Sequence, residues 1–435
     1  MMVKKAAAFA VSWLALTSPA LADTLLDNIN GVTLDETGKV EHFTGLIFDA
    51  DGKIVQLLAS KDKRPKKIDY QFDGAGRFVV PGIVDSHVAL MRIGYTALTG
   101  GKDGLPPPRP EDRDVALQKA QRLLAAQGIT AVSDMGTTIE DWQTYRRAGD
   151  KGTLYIRIMA YAAAVDDMAL IGGPGPTPWL YDDHLRFNGL YLDQITPANT
   201  GGSEATAAAT QLRNRMSRAA IDNFQVAVAT PNHAAADDVL DAIDELTPTY
   251  QGERRWRLEN LREIDPVQTG RASADQAIVS FQFGTLERDM AAAPASAAQI
   301  QPWQSVTAAG VRAIYASATA TTPSSPFLAM AMAITRENAA GEPFGGWQPQ
   351  ERLTREQALA AMTVNGAYAG FAEGRFGRLE KGARADFVML DRDPMLSSPA
   401  DLRGVQVVET WIGGARIYVA GQEAAQSFGK EMPGW

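Results

Sequence analysis

Leu123-Leu124-Ala125-Ala126-Gln127-Gly128-Ile129-Thr130-Ala131-Val132-Ser133-Asp134 decides how this chain is read, because it joins a helix to a strand through a single glycine. Asp114 to Gln127 carries apolar residues at helical spacing, and Gly128 stands where a C-terminal cap is needed. Thr130 to Asp134 then has the character of a strand. A helix is predicted near Ile139 to Ala148 and a strand over Tyr155 to Tyr161. The alternation continues with a strand at Phe224 to Ala229, a helix at Ala234 to Leu246 and a strand at Arg255 to Leu261. Repeated strand-then-helix units imply a parallel sheet, and this many between Pro81 and Arg375 predict an α/β fold with a (β/α)₈, TIM-like barrel over 81–375. Leu105-Pro106-Pro107-Pro108 and Gly172-Gly173-Pro174-Gly175-Pro176 interrupt the pattern and are read as long loops over one barrel mouth.

Outside the barrel the chain is β-rich at both ends. Phe43 to Asp49 reads as a strand, Ala50-Asp51-Gly52-Lys53 as a hairpin turn and Ile54 to Leu58 as the returning strand. Toward the C-terminus, Ala385 to Leu390, Val405 to Ile412 and Ala415 to Val419 read as strands, with Gly413-Gly414 as a turn. Pairing the two ends gives one composite β-sandwich from 23–80 and 376–425, with the barrel inserted in it and a short tail at 426–435. Residues 1–22 have the form of a signal peptide. Lys4 and Lys5 precede an apolar run over Ala6 to Thr17, and Ala20-Leu21-Ala22 is a cleavage signature. The run is too short to span a bilayer comfortably. The expectation is an exported chain, periplasmic or secreted, that begins near Asp23 and has no stable membrane insertion after cleavage. The absence of cysteine fits an oxidising compartment and removes any thiol nucleophile.

Across 435 residues the formal net charge is -9. That balance leaves no basic face for phosphate neutralisation, so a nucleic-acid partner is not expected. The basic run from Lys61 to Lys67 reads as a solvated loop between strands.

The order of the motifs resembles the amidohydrolase superfamily, and within it the branch of N-substituted formamide deformylases and related exported hydrolases. The resemblance is carried by Phe78-Val79-Val80-Pro81-Gly82-Ile83-Val84-Asp85-Ser86-His87, by Gly128 through Gly136, by Phe224 to Val228, by Arg255-Trp256-Arg257-Leu258-Glu259, by Leu353 through Ala369 and by Gly377 through Val388. Such enzymes hydrolyse amide-type C–N bonds with one or two divalent metals at the C-terminal ends of the barrel strands. The metal acidifies a bound water and polarises the carbonyl. The resemblance implies a His-x-His on strand one, a Lys on strand four, two further His and an Asp on strand eight. Here those positions read His87 followed by Ala89, then Gly189, Ala229, Asn260 and Ala318. Only His87 of the expected ligand set remains, and one imidazole is far from filling a zinc coordination sphere. His42 and His184 fall outside ligand spacing.

Two functional readings follow. In the first, the protein keeps the fold, has a degenerate metal site with no cofactor expected, and binds a small molecule in the barrel mouth. It could also act as a homo-oligomer or as the partner of an active homologue. In the second, it hydrolyses non-peptide C–N bonds with an unusual site. General acid–base chemistry would then fall to His87 with Asp134 or Glu259. Alternatively, a single zinc-like metal would recruit His87, His233 and either Asp134 or Asp193. Asp193, His233, Asn260 and Ser317 are the remaining pocket candidates at strand ends. The bland alternatives are a His87 hydrogen-bonded in the barrel floor, an Asp134 and Glu259 that fix strand ends, and a His233 that begins a helix. Ser317, His87 and Asp134 form no Ser-His-Asp arrangement in sequence order that could be recognised without the fold.

Overall fold

The computed structural model describes residues 23–100, 109–193, 203–292, 300–317 and 324–422. The loop at Leu105–Pro108, the signal segment, Ala318 and the tail at 426–435 lie outside the described residues. The chain opens with β1 (Thr24–Leu34), β2 (Val40–Phe48), β3 (Ile54–Leu58), β4 (Tyr70–Asp73) and β5 (Phe78–Pro81). Between β2 and β3 the predicted Asp-Gly turn forms, with Gly52 at φ 72°, where a Cβ would meet the Gly413 carbonyl oxygen at 2.0 Å.

The barrel runs through β6 (Ile83–Val88), α1 (Leu90–Thr99), α2 (Pro110–Ala126), β7 (Ile129–Thr137), α3 (Ile139–Asp150), β8 (Arg157–Ala162) and α4 (Val165–Gly172). It continues with β9 (Leu185–Leu192), α5 (Ser203–Ile221), β10 (Gln225–Ala229), α6 (His233–Leu246), β11 (Arg257–Glu259) and α7 (Pro266–Ala274). The last units are β12 (Ile278–Phe281), α8 (Leu286–Ala292), α9 (Trp303–Ala308), β13 (Arg312–Tyr315), α10 (Pro326–Thr335), α11 (Arg355–Met362) and α12 (Val364–Ala369). Strands β6 to β13 pair in chain order, all parallel. Both faces of such strands are covered, and β8 and β10 are accordingly buried along their whole length. At the seam between β6 and β13 the Asp85 carboxylate accepts the Ser317 backbone N–H at 3.0 Å.

The chain then returns to the first sheet with β14 (Phe387–Leu390), α13 (Pro399–Arg403), β15 (Val407–Ile412) and β16 (Ala415–Val419). The two ends form one mixed sheet in the order β16-β15-β14-β5-β1-β2-β3, with β4 also on β1. Strand β1 serves two parallel neighbours, β4 along its first half and β5 further on, across an irregularity between Asp27 and Gly31. Trp411 stacks on Phe387 at 5.3 Å and packs edge-on to Phe48 and Phe72, which gives this sheet its own core. A buried ion pair joins the halves. Arg157, first residue of β8, grips Asp386 through two bonds of 2.5 and 2.8 Å.

Three details depart from the sequence reading. The strand expected over Arg255 to Leu261 is only Arg257–Glu259, because Arg255 and Asn260 take left-handed φ of 50° and 55° and break it on both sides. The strands expected from Tyr155, Ala385 and Val405 begin two residues later, at Arg157, Phe387 and Val407. The glycine-rich segment Gly172–Pro176 follows α4 and leads into β9, so it lies at the N-terminal ends of the strands, here called the floor.

Candidate functional site

Strand geometry explains what fills the barrel. In β11 the side chains two apart share a face, so Arg257 and Glu259 both project inward. Neither has any exposed side-chain surface. Glu259 Oε1 accepts Arg257 Nε at 2.6 Å, and its Oε2 accepts the Ser280 hydroxyl at 2.8 Å and lies 2.9 Å from His87 Nδ1. The remaining guanidinium nitrogens of Arg257 donate to Tyr161 OH at 3.0 Å, Ser133 Oγ at 3.3 Å and the Ser86 carbonyl at 2.7 Å. Deeper still, Tyr161 OH donates to Gln225 Oε1 at 2.6 Å and accepts from Asn188 Nδ2 at 3.2 Å. Asn188 also donates to the Gly370 carbonyl at 3.0 Å. A continuous polar chain therefore runs down the barrel axis from His87 to the floor.

The chain fixes protonation states. Burial alone would raise the Glu259 pKa, but the Arg257 guanidinium and the bonds from His87 and Ser280 hold it below the usual carboxylate value. An ionised Glu259 can only accept, so His87 Nδ1 carries a proton and Nε2 is the nitrogen available to a ligand. Residual exposure of 15 % puts the imidazole at the rim of the mouth, at the C-terminal end of β6. Its ring stands edge-on to Tyr191 at 5.1 Å. His87 is thus not a floor residue.

The other anticipated residues divide by what they touch. Asp134 is buried and accepts from Leu90 N at 2.8 Å, Thr137 Oγ1 at 2.6 Å and Tyr145 OH at 2.8 Å. It therefore ties β7 to the start of α1 and to the middle of α3. Burial pushes its pKa up to about 6. Asp193 is exposed just past β9, beside Tyr191. Ser317 is buried at the β6–β13 seam. Asn260 follows Glu259 at the strand end, its backbone N–H held by Ser280 Oγ at 2.8 Å. His233 opens α6 at the surface and binds Asp265 at 2.9 Å and Asp237 at 3.4 Å. The structure thus joins His87 to Glu259 and leaves Asp134 and His233 in networks of their own. Arg257, Ser280, Tyr161 and Tyr191 were not anticipated, although the Arg257-x-Glu259 spacing in a strand was a usable signal.

Whether the site could hold the family's metals depends on its donors. Ala89 and Ala229 supply no ligand atom, and Glu259 already accepts three bonds. At Gly189 a Cβ would lie 1.9 Å from the Gln225 carbonyl oxygen, so this backbone leaves no room for a lysine. His184 sits before β9, its Nδ1 donating to the Tyr181 carbonyl at 2.6 Å, and burial with the Arg157 charge pushes its pKa down to about 4. Among the described residues no cluster of three His, Cys, Asp or Glu is placed to hold a metal ion, including the set of His87, His233, Asp134 and Asp193. The donor set does not fit a binuclear centre.

The profile of the amidohydrolase family matches residues 93–418. An N-substituted formamide deformylase from Arthrobacter pascens is 30% identical over 208 residues, which cover 46% of this chain and 38% of that protein. The protein LONG AFTER FAR-RED 3 from Arabidopsis thaliana is 25% identical over 340 residues, 71% of this chain and 58% of that one. The chain thus aligns with less than two thirds of the length of either relative. Among solved structures, an uncharacterized metal-dependent hydrolase from Pyrococcus horikoshii superposes with a TM-score of 0.70 at 17% identity, covering 87% of this chain and 99% of its own. An adenosine deaminase from Xanthomonas campestris with bound zinc gives 0.64 at 17% identity, covering 92% and 94%. At these identities the two structures speak for the fold alone.

Proposed function

This chain belongs to the amidohydrolase family, and from that premise we propose that it is a member without the family's metal centre, which binds a small molecule in its barrel mouth. The observation that carries the reading is the centre of the barrel. Ligand positions are alanine at 89 and 229 and a glycine with no room for a Cβ at 189. The carboxylate nearest the surviving imidazole is bound to Arg257 and Ser280. The mouth still presents His87, with Tyr191 against it and Asn260 at the end of β11. The signal-like segment before Asp23 supports a periplasmic or secreted location. Metal analysis of protein purified without chelator tests the proposal. It expects less than a few tenths of an equivalent of zinc, iron or manganese, together with thermal stabilisation by a small ligand that is not turned over. One full equivalent of metal would overturn it.

One contact favours a second reading. The 2.9 Å bond from His87 Nδ1 to an ionised Glu259 is the arrangement that makes Nε2 a base, and it would support metal-free acid–base hydrolysis of an amide-type bond. That reading expects chelator-resistant turnover which His87→Ala abolishes. Turnover unaffected by His87→Ala would remove it.

A further inference from the structure

The floor of the barrel carries a feature that the mouth does not explain. A cleft of about 350 Å³ opens there, lined by Arg186, Asn223, Gln251, Glu253, Arg254 and Phe371 among others. All of these come from the N-terminal ends of β9, β10 and β11 or from the segment after α12.

Its charges are unbalanced. Arg186 donates from Nε to the Thr177 carbonyl at 3.2 Å and from Nη1 to the Gly370 carbonyl at 3.2 Å. Arg254 donates to the carbonyls of Tyr250, Ala220 and Gln251 and to Asn223 Oδ1, at 2.9–3.2 Å. Among the described residues neither forms an ion pair with a carboxylate. The two carboxylates nearby, Glu253 and Glu373, are both bound to Arg255. Glu253 also accepts the Tyr368 hydroxyl at 2.5 Å. Arg312 joins on the far side, where it donates to the Asn365 side chain at 3.0 Å and not to an acid. The guanidinium groups of Arg312, Arg255 and Arg186 alternate with the rings of Tyr368 and Phe371 at 3.7–5.1 Å, which holds three cations in one row. Four arginines therefore face two carboxylates, on a protein whose overall charge is negative.

Carbonyl oxygens orient a guanidinium but bring no compensating charge, and a partly buried cation is unfavourable without one. Arg186 shows the strain of this arrangement, since burial pulls its pKa below the ordinary arginine value. Among the described residues Arg186 Nη2 donates to no partner, so its pair of N–H groups can reach the oxygens of a carboxylate or a phosphate, and Arg254 keeps one further Nη2 N–H beside it. We propose that the floor cleft between Arg186 and Arg254 is a binding site for a small oxyanion, a carboxylate or phosphate group, distinct from the mouth at the other end of the barrel. The anion lies against the two guanidinium groups, with the Asn223 amide on the rim.

Titration calorimetry of the purified protein with inorganic phosphate, and separately with acetate, tests the site. Asn223 is exposed and already in a left-handed conformation that Asp also tolerates, so Asn223→Asp keeps the bond to Arg254 while placing a negative charge at the anion's position. Saturable binding of one of the two anions is expected, weakened by about tenfold or more in Asn223→Asp, with a melting temperature no lower than that of the unaltered protein because the new carboxylate neutralises Arg254. The anion that binds more tightly identifies the source of the group. Arg271→Gln, which removes a half-buried arginine paired with Asp241 and Asp244 elsewhere on the surface, should leave binding as it was. The proposal is overturned by no saturable binding of either anion up to about 20 mM, weaker than any affinity worth the name of a site. Equal affinity in Asn223→Asp, or an equal loss in Arg271→Gln, overturns it too, the latter because it would mark a non-specific charge effect.

Discussion

Glu259 shows how one buried side chain can hold several partners in place at once. It neutralises Arg257, receives Ser280 and sets the tautomer of His87, all without exposed surface. Glu259→Gln leaves the shape but deprives Arg257 of its counter-charge, and removing one partner of a buried pair costs about 3–5 kcal/mol. His87→Ala removes a partly exposed ring, and its cost should stay nearer about 1–2 kcal/mol. Urea unfolding of the two variants compares the costs, and equal costs would mean that Glu259 is not the pivot. A second residue-scale prediction concerns Gly189. Completing the ligand set with Ala89→His, Ala229→His and Gly189→Lys together should not restore a binuclear zinc centre, because Gly189→Lys forces a Cβ into the Gln225 carbonyl at 1.9 Å and breaks the β9–β10 pairing. Soluble, folded Gly189→Lys protein with bound zinc would refute this. Much of this was visible in the sequence. The missing ligands could be counted against the motif, and His87 and Glu259 could be named. Their contact could not, because 172 positions separate them and only closure of the barrel brings them together.

At the scale of the elements, the barrel strands and their caps were legible because each combined an apolar pattern with a local stop signal. Gly128 takes φ 78° beyond α2, and Thr138 accepts the Asp141 N–H at 3.2 Å to begin α3. The overlong strand at Arg255–Leu261 shows the opposite case. Its apolar residues continue past the point where Arg255 and Asn260 turn left-handed, a preference that neither residue announces. Asp134 is the element-scale device that sequence reading left undecided. It anchors α1, and its carboxyl has a pKa of about 6 against an ordinary 3.8. Between those values the folded state holds the proton and the unfolded state has lost it, so stability falls as pH rises from about 4 to about 6. The 2-unit displacement corresponds to roughly 2–3 kcal/mol. Asp134→Asn cannot ionise. The stability of the unaltered protein relative to this variant should therefore decline across that interval and level off above it. Denaturation curves at pH 4 and pH 7 for both proteins check the sign, and a relative stability that rises with pH would show that Asp134 is ionised in the fold.

The whole molecule depends on how the barrel is fastened to the sheet made from the two ends. Composite sheets of this kind need a joint, since neither end contributes a complete layer, and Arg157–Asp386 occupies that position with 0% and 1% exposure. The contact is more than a single pair. Asp386 Oδ1 also receives the Gly413 N–H at 2.7 Å, while Arg157 Nη1 donates to the carbonyls of Asp182 and Asp183 at 3.0 Å each. One arginine thus fixes β8, the segment before β9 and the turn between β15 and β16. Its partner stood in the block from Gly377 to Val388, one of those that carry the family resemblance, whereas Arg157 looked like any strand residue. If the joint makes the two halves one cooperative unit, Asp386→Ala should lower stability by about 3–5 kcal/mol, because it strands a buried guanidinium. Replacing both partners by apolar residues, as in Arg157→Met with Asp386→Leu, should recover most of that loss, because no charge is left buried. Tryptophan reporters distinguish cooperative from separate unfolding, since Trp411 lies in the composite sheet and Trp303 against the barrel. Both should report one transition in the unaltered protein and in the double variant. Two transitions in the unaltered protein would mean that the halves unfold independently, and the joint would then be local.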